Sequence, residues 1–251
     1  MAFDAHADAL LRWALPQRGL RWRGFRRNRR QVYRRLRDRI TALGLADVAA
    51  YRQYLDDHPD EWPELDQLCR VTISRFARDR PMWDALVEHE LPRRAWSAGC
   101  GAGEEPYTLV IACAMGGVAV DVLATDIDDT QLERARIACY RAGALRELPD
   151  AWRDAAFDIR DDVACLRDRF RGVRFAHHDL KTAPPPGPFD LVLCRNLAYS
   201  YFDEPAQRAV TASFRAVLRR GGVLVVGADE CLPDGAPGFA PRSHGIYDAI
   251  D

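Results

Sequence analysis

Trp96-Ser97-Ala98-Gly99-Cys100-Gly101-Ala102-Gly103-Glu104-Glu105-Pro106-Tyr107 follows a short apolar piece and leads into Thr108-Leu109-Val110-Ile111-Ala112-Cys113-Ala114, which has the apolar density of a buried helix. The order reads strand, glycine loop, helix. Gly99, Gly101 and Gly103 alternate with other residues. Such spacing lets the backbone turn tightly and lets a ligand approach main-chain atoms that a Cβ would block. An ordinary tight turn between strand and helix is the competing reading, so the flanking chemistry has to decide. A P-loop ends in Gly-Lys-Ser/Thr, but Glu104 and Glu105 follow Gly103 and would repel a triphosphate from the helix N-terminus. A dinucleotide fingerprint would place its third glycine where Glu104 stands, and an acid sits badly against a pyrophosphate.

A glycine loop followed by acids suits a cofactor with hydroxyls and a positive centre, and S-adenosylmethionine (SAM) is such a cofactor. Val120-Asp121-Val122-Leu123-Ala124-Thr125 reads as the next strand, with Asp126 at its C-terminal end, where open α/β sheets present ligand-contacting groups. A carboxylate there can accept both ribose hydroxyls. Its alternative role is to cap the next helix, for which Asp128 is better placed.

With these residues in place the chain resembles the CheR-type chemoreceptor glutamate methyltransferases. The matching pieces are Trp96 to Cys100 with Gly103-Glu104-Glu105-Pro106-Tyr107, then Ala124-Thr125-Asp126-Ile127-Asp128, then Phe189-Asp190-Leu191-Val192-Leu193-Cys194-Arg195-Asn196. They occur in the family's order, and the resemblance covers about residues 19 to 248. It implies an α/β fold, a Rossmann-like class I methyltransferase sheet over 91–251, preceded by a small N-terminal helical domain and linker over 1–90. It also implies SAM as cofactor and S-adenosylhomocysteine as product. The cofactor would be held by Ala98, Gly99, Gly101, Gly103, Glu104, Asp126, Ile127, Cys194, Arg195 and Asn196. Val71 to Asp79 is similar to the family's linker piece that covers the cofactor, which gives Ser74 and Arg78 cofactor contacts and makes Arg78 the catalytic arginine. A surface salt bridge from Arg78 to Asp79 or Glu88 is the plain alternative. Asp179 and Leu180 match positions that hold the adenine. Tyr201, by its Phe202-Asp203 context, best matches the active-site tyrosine, with Tyr199 as rival.

The chain departs from the family in places. Thr72 stands where the family usually has Asn, and Ala77 replaces a Phe, which opens the expected roof of the site. One extra residue lies between Asn196 and Tyr201-Phe202. Between Tyr140 and Arg174, where relatives carry a small antiparallel insert that grips a receptor tail, Phe157 to Arg171 is highly charged and lacks a glycine turn. A truncated insert is therefore expected.

Taken in order, residues 1 to about 90 offer no convincing strand. A basic run including Arg26 to Arg39 falls on a predicted helix whose buried stripe is Val32, Leu36, Ile40 and Leu43, with Gly44 ending it. Its positive face is either solvated or a contact for an acidic partner, and sparse aromatics argue against nucleic acid. Leu132 to Ala144 reads as a helix, as does Pro205 to Arg220, with Gly221-Gly222 closing the latter. Gly172 to Leu180 reads as a strand. Within it His177 and His178 point to opposite faces, so both are structural and no metal is expected. The seven cysteines form no Cys-x-x-Cys pair and are odd in number, which fits reduced thiols. Net charge is −1, no stretch reaches the roughly 20 apolar residues of a membrane span, and the start is not a signal peptide. These features predict a soluble cytoplasmic protein.

Three functions remain open on the sequence. The first is methylation of a protein carboxylate. The second is methylation of a small metabolite, such as an acidic one, favoured by the shortened insert, Ala77 and the altered tyrosine loop. The third is a non-catalytic SAM-binding signalling module. A carboxylate acceptor is already ionised and needs alignment rather than a base. An amine or hydroxyl acceptor would need one, and Asp229, His177 or a tyrosine could serve.

Overall fold

The computed structural model describes residues 2–26, 28–71, 74–88 and 91–251. Arg27 of the basic run and Thr72 and Ile73 of the linker piece lie outside the described residues. The chain divides into two compact units, Met1–Thr72 with Ser200–Pro205, and Ile73–Tyr199 with Ala206–Asp251.

The smaller unit contains α1 (Ala2–Gln17), α2 (Trp22–Phe25), α3 (Arg29–Ala42), α4 (Val48–Asp57) and α5 (Glu61–Leu68). Val32, Leu36 and Ile40 of α3 are buried with Leu11, Leu15, Tyr51, Leu55 and Leu65, as the helical spacing requires. Leu43 caps the helix and Gly44 follows at φ 68°, a left-handed value that glycine adopts without strain. The basic run has two roles. Arg18 pairs with Asp66 at 2.6 Å, Arg39 pairs with buried Glu61 at 2.6 Å, and Arg35 donates to the carbonyls of Leu68 and Arg70. Arg23, Arg26, Arg29, Arg30, Arg34 and Arg37 are exposed.

Ser200–Pro205 is stitched into this unit by backbone bonds. Arg21 N donates to Tyr201 O at 2.8 Å, Asp203 N donates to Gly19 O at 2.9 Å, and Leu20 bridges Phe202. Gly24 leaves no room for a side chain, since a Cβ there would lie 2.1 Å from Ser200 O.

The larger unit opens with α6 (Arg80–Val87), β1 (Arg94–Ala98), α7 (Glu104–Met115), β2 (Asp121–Asp126) and α8 (Asp129–Ile137). It continues with β3 (Cys139–Arg141), α9 (Asp150–Ala156), β4 (Phe157–Arg160), β5 (Val163–Leu166), β6 (Val173–His177) and β7 (Phe189–Leu193). After β7 come α10 (Ala198–Tyr201), which reaches into the stitched segment, α11 (Glu204–Val217), β8 (Leu218–Val225), β9 (Phe239–Pro241) and β10 (Ile246–Ala249). The main sheet has strand order β6-β2-β1-β7-β8-β10-β9. Its first five strands are parallel, and β10 and β9 close it antiparallel. The order reverses at β1, which has β2 on one side and β7 on the other, and ligands of such sheets bind at that crevice.

Four sequence expectations are corrected. The helix expected over Leu132 to Ala144 stops at Ile137, where Ala138 turns left-handed at φ 54° and β3 begins. Gly221-Gly222 do not end α11; they lie within β8 at an irregularity in its pairing with β7, where glycine accommodates the bulge. The antiparallel insert is present rather than truncated, as a three-stranded sheet of order β3-β5-β4. Its hairpin turns on Asp161-Asp162, with Asp161 at φ 52°, a conformation that aspartate tolerates better than most side chains. Finally, not every thiol is reduced. Cys139 and Cys165, directly paired across β3 and β5, form a disulfide. Among the described residues no helix is long and apolar enough to cross a membrane, and no cluster suited to a metal ion occurs.

Candidate cofactor and active site

The C-terminal ends of β1, β2 and β6 are level: Ala98 pairs with Thr125, and Asp126 pairs with His177. The glycine loop leaves β1 at this rim. Gly99 and Cys100 donate their amides to Thr125 O at 2.7 and 2.9 Å, which folds the loop across the end of β2. All three loop glycines are left-handed, at φ 82°, 55° and 92°. At two of them a Cβ would also press on a neighbour that would have to shift. A Cβ on Gly99 would lie 2.1 Å from Leu197 Cδ2, and one on Gly103 would lie 3.0 Å from Ala135 Cβ. Gly99→Ala is accordingly expected to weaken binding of S-adenosylhomocysteine about tenfold or more, from one or two kcal/mol of backbone strain together with displaced Leu197. Calorimetry on the folded variant measures this, and unchanged affinity would remove the loop from the cofactor site.

Asp126 carries the loop from the other side. Its Oδ2 accepts from Gly101 N at 2.8 Å, and its Oδ1 accepts from Asp128 N at 2.9 Å. Asp128, not Asp126, caps α8 by accepting from the amides of Thr130 and Gln131. Asp126 thus remains at the strand end with its carboxylate oriented by backbone donors. Ile127 beside it is 38% exposed, a large apolar side chain left open at the rim. Leu180 is buried, and Asp179 accepts from Lys181 N at 2.9 Å in a turn that fixes the carboxylate.

Glu104 starts α7 and is 6% exposed. Burial pushes its carboxyl above the ordinary glutamate range, and its Oε2 finds no hydrogen-bond partner among the described residues. A buried carboxylate oxygen without a donor is costly unless a ligand cation supplies one. An amino acid ammonium would. Oriented Asp126, apolar Ile127 and Leu180, and the orphaned oxygen of Glu104 therefore fit a nucleoside carrying a cationic amino acid tail.

Ser74 lies partly exposed just before the segment that carries Arg78. Arg78 lies between two left-handed residues, Ala77 at φ 50° and Asp79 at φ 63°. Backbone of this kind costs about 1–2 kcal/mol per residue and persists only where its surroundings over-determine it. They do so here. Arg78 O accepts from Trp83 Nε1 at 3.0 Å and from Arg195 Nη2 at 2.5 Å, and Ala77 N donates to Thr108 Oγ1 at 3.1 Å.

Arg195 serves this scaffold. Its side chain is 3% exposed, pairs with Asp79 at 2.9 Å and with Glu105 at 3.3 Å, and lies over the Trp83 ring. Glu105, also bonded by Ser97 Oγ at 2.8 Å, is pushed up by burial and pulled back in part by Arg195. Asn196 is held at φ 57° by its amide, which donates to Glu230 Oε2 at 2.7 Å. The same oxygen accepts from Gly227 N at 2.8 Å. Cys194 is fully buried in β7's exit, and Ala98 in β1. Leu197 against Gly99, Asp79 paired with Arg195, and Glu230 on the amides of Asn196 and Gly227 support this region through contacts that a motif does not display.

The two tyrosines separate. Tyr199 is 2% exposed, with its hydroxyl bonded to Thr211 Oγ1 at 2.9 Å under α11. Tyr201 belongs to the helical unit, where its hydroxyl accepts from Asn28 Nδ2 at 3.2 Å and its ring packs at 4.8 Å from Phe25. His177 contacts Asp129, and His178 contacts Ala183 O, as side chains with local partners.

Known proteins match along the same lines. The family model described as CheR methyltransferase, SAM binding domain, matches residues 74–243, and that described as CheR methyltransferase, all-alpha domain, matches residues 26–66. A chemotaxis protein methyltransferase of Listeria monocytogenes is 37% identical, over 73% of this chain and 75% of that protein. A protein of the same name from Salmonella typhimurium is 30% identical over 97% of this chain and 90% of its own length. With the glycine loop, Asp126 and the exposed rim already in place, the chain belongs to the CheR family and is a SAM-dependent methyltransferase.

Proposed function

We propose that the acceptor is a carboxylate on a protein, a glutamate side chain that becomes a methyl ester. The observation that carries this reading is the insert β3-β5-β4. Its expected truncation was one of three arguments for a small metabolite, beside Ala77 and the altered tyrosine loop, and its presence removes that one. Relatives named chemotaxis protein methyltransferases support a protein acceptor, as do the six exposed arginines from Arg23 to Arg37, a face suited to an acidic helical surface.

SAM supplies an electrophilic methyl group on a sulfonium. The chain's own residues have to align and desolvate. Asp126 would accept from the ribose hydroxyls, Glu104 would accept from the ammonium, and Ile127, Asp179 and Leu180 would hold the adenine. Gly99, Gly101 and Gly103 admit the cofactor to the backbone, while Ala98, Cys194 and Asn196 form the strand-end floor. Ser74 is a further cofactor contact. Arg78 offers a planar cationic fork that can hold a carboxylate with one oxygen free to react. Arg195 is a positioning residue that holds the Arg78 segment. Of the two tyrosines the resemblance offers for orienting an acceptor oxygen, Tyr199 is bonded within the core and Tyr201 belongs to the helical unit. An ionised acceptor needs no general base.

Methyl-labelled SAM, incubated with the protein and a lysate of the source cells, is expected to place label on protein and to release it as methanol in mild base. Label confined to the small-molecule fraction would replace this reading with a metabolite methyltransferase.

A further inference from the structure

We infer that the Cys139–Cys165 pair is a thiol–disulfide site that sets cofactor affinity, acting through Tyr140 on the glycine loop. The link is short. Cys139 and Cys165 are opposed residues of β3 and β5, and both are half-buried. The next residue, Tyr140, points to the opposite face of the insert, where it is 7% exposed. There its hydroxyl donates to Ala102 O at 2.8 Å, between Gly101 and Gly103 of the loop. The same ring meets Phe76 edge-on at 4.9 Å, and Phe76 meets Phe157 of β4 at 5.0 Å. The inner face of the insert thus abuts both the loop and the segment that leads to Arg78.

The bridge matters because β3 is short and lies at a sheet edge. It has three residues and pairs only with β5 in a sheet of order β3-β5-β4. Flanking bonds from Leu166 N to Ala138 O and from Ala142 N to Asp162 O extend its ladder, but so short an edge strand still has few backbone bonds to hold it. The covalent bond fixes β3 where Tyr140 reaches Ala102. With the bond cut, β3 frays more readily, the hydroxyl leaves the loop carbonyl more often, and the loop must be ordered again when the cofactor binds.

The chemistry is ordinary exchange with a dithiol reductant. One thiolate of the reagent attacks a bridge sulfur, giving a mixed disulfide and releasing the other cysteine. The second reagent thiol then displaces the protein sulfur and closes the reagent's own disulfide. The reagent loses two electrons and two protons, and Cys139 and Cys165 become thiols. Half-burial leaves the bridge sulfurs within reach of the attacking thiolate.

The test is calorimetry of S-adenosylhomocysteine with the full chain, oxidised or treated with dithiothreitol, the redox state being checked by alkylation and mass. This readout needs no methyl acceptor, so it stands apart from the proposed carboxylate substrate. Reduction is expected to weaken binding about three- to tenfold, the range one neutral hydrogen bond spans. KM for SAM should rise with it, and kcat at saturating SAM should hold. The double variant Cys139→Ser with Cys165→Ser should bind like reduced protein and ignore the dithiol, whereas Cys231→Ser, at an exposed free thiol, should behave as wild type. Tyr140→Phe should bind weakly in the oxidised state and lose little more on reduction, as coupled changes do. Equal affinity of oxidised and reduced wild-type protein, with the fold intact by circular dichroism, would overturn the inference. So would full additivity of Tyr140→Phe and reduction.

Discussion

Arg195→Met is expected to destabilise the larger unit by about 3–5 kcal/mol, the cost of leaving the buried Glu105 carboxylate without its cation. Arg195 is 3% exposed on its side chain and Glu105 is 12% exposed, so water cannot replace the lost partner. Methionine keeps an apolar stem in the buried site but not the guanidinium that lies over Trp83, so the loss comprises charge, hydrogen bonds and that cation–π contact. Urea unfolding should show the shift, and a midpoint close to wild type would mean that the cluster is open to solvent. The deficit should also depend on pH. Burial already raises the Glu105 carboxyl, and Arg195 is among the groups that pull it down. Without Arg195 the folded value rises further, so the native state takes up a proton more readily than the unfolded chain. A group raised in this way contributes stability at low pH and loses it as pH climbs through the folded value. The variant's deficit should therefore be smaller near pH 5 than near pH 8.

Arg78→Ala is expected to lower kcat/KM on the order of 10²-fold, as loss of a group that positions a reacting carboxylate does, while affinity for S-adenosylhomocysteine falls far less. The bonds from Trp83 and Arg195 go to the Arg78 carbonyl and survive truncation of the side chain. Arg78→Lys should recover only part of the activity, since an ammonium cannot form the planar fork. Unchanged turnover in Arg78→Ala would remove this residue from the mechanism. Loss of cofactor binding in proportion to turnover would assign it to the methionine carboxylate instead.

The glycine loop and Asp126 were legible because their chemistry is local: a strand end, three glycines and two acids within a few residues. The insert was not. Its turn uses Asp161 where a glycine is the usual signal, and its high charge lies on the outer face of a sheet whose inner face needs only Tyr140, Phe157, Ala164 and Leu166. The Cys139–Cys165 bond was hidden for the same reason, since cysteines far apart in sequence meet only after the strands have paired. Arg195 reads in a motif like a cofactor contact, yet its guanidinium meets Asp79 and Glu105, a pairing that no spacing could reveal. Helix limits erred where a residue other than glycine turned left-handed, as at Ala138.

Ser200–Pro205 lies between two stretches of the larger unit, yet counts structurally as part of the smaller. The helical unit is consequently not a detachable cassette. Deleting 1–72 would strip Tyr201 and Phe202 of the neighbours they pack on and bridge to, and an exchange with another family member would have to transplant this hexapeptide along with the N-terminal helices. Substitutions near Leu20, Arg21, Gly24 and Asn28 are therefore constrained by a stretch some 180 residues downstream, and the two should change together when lineages of this family diverge.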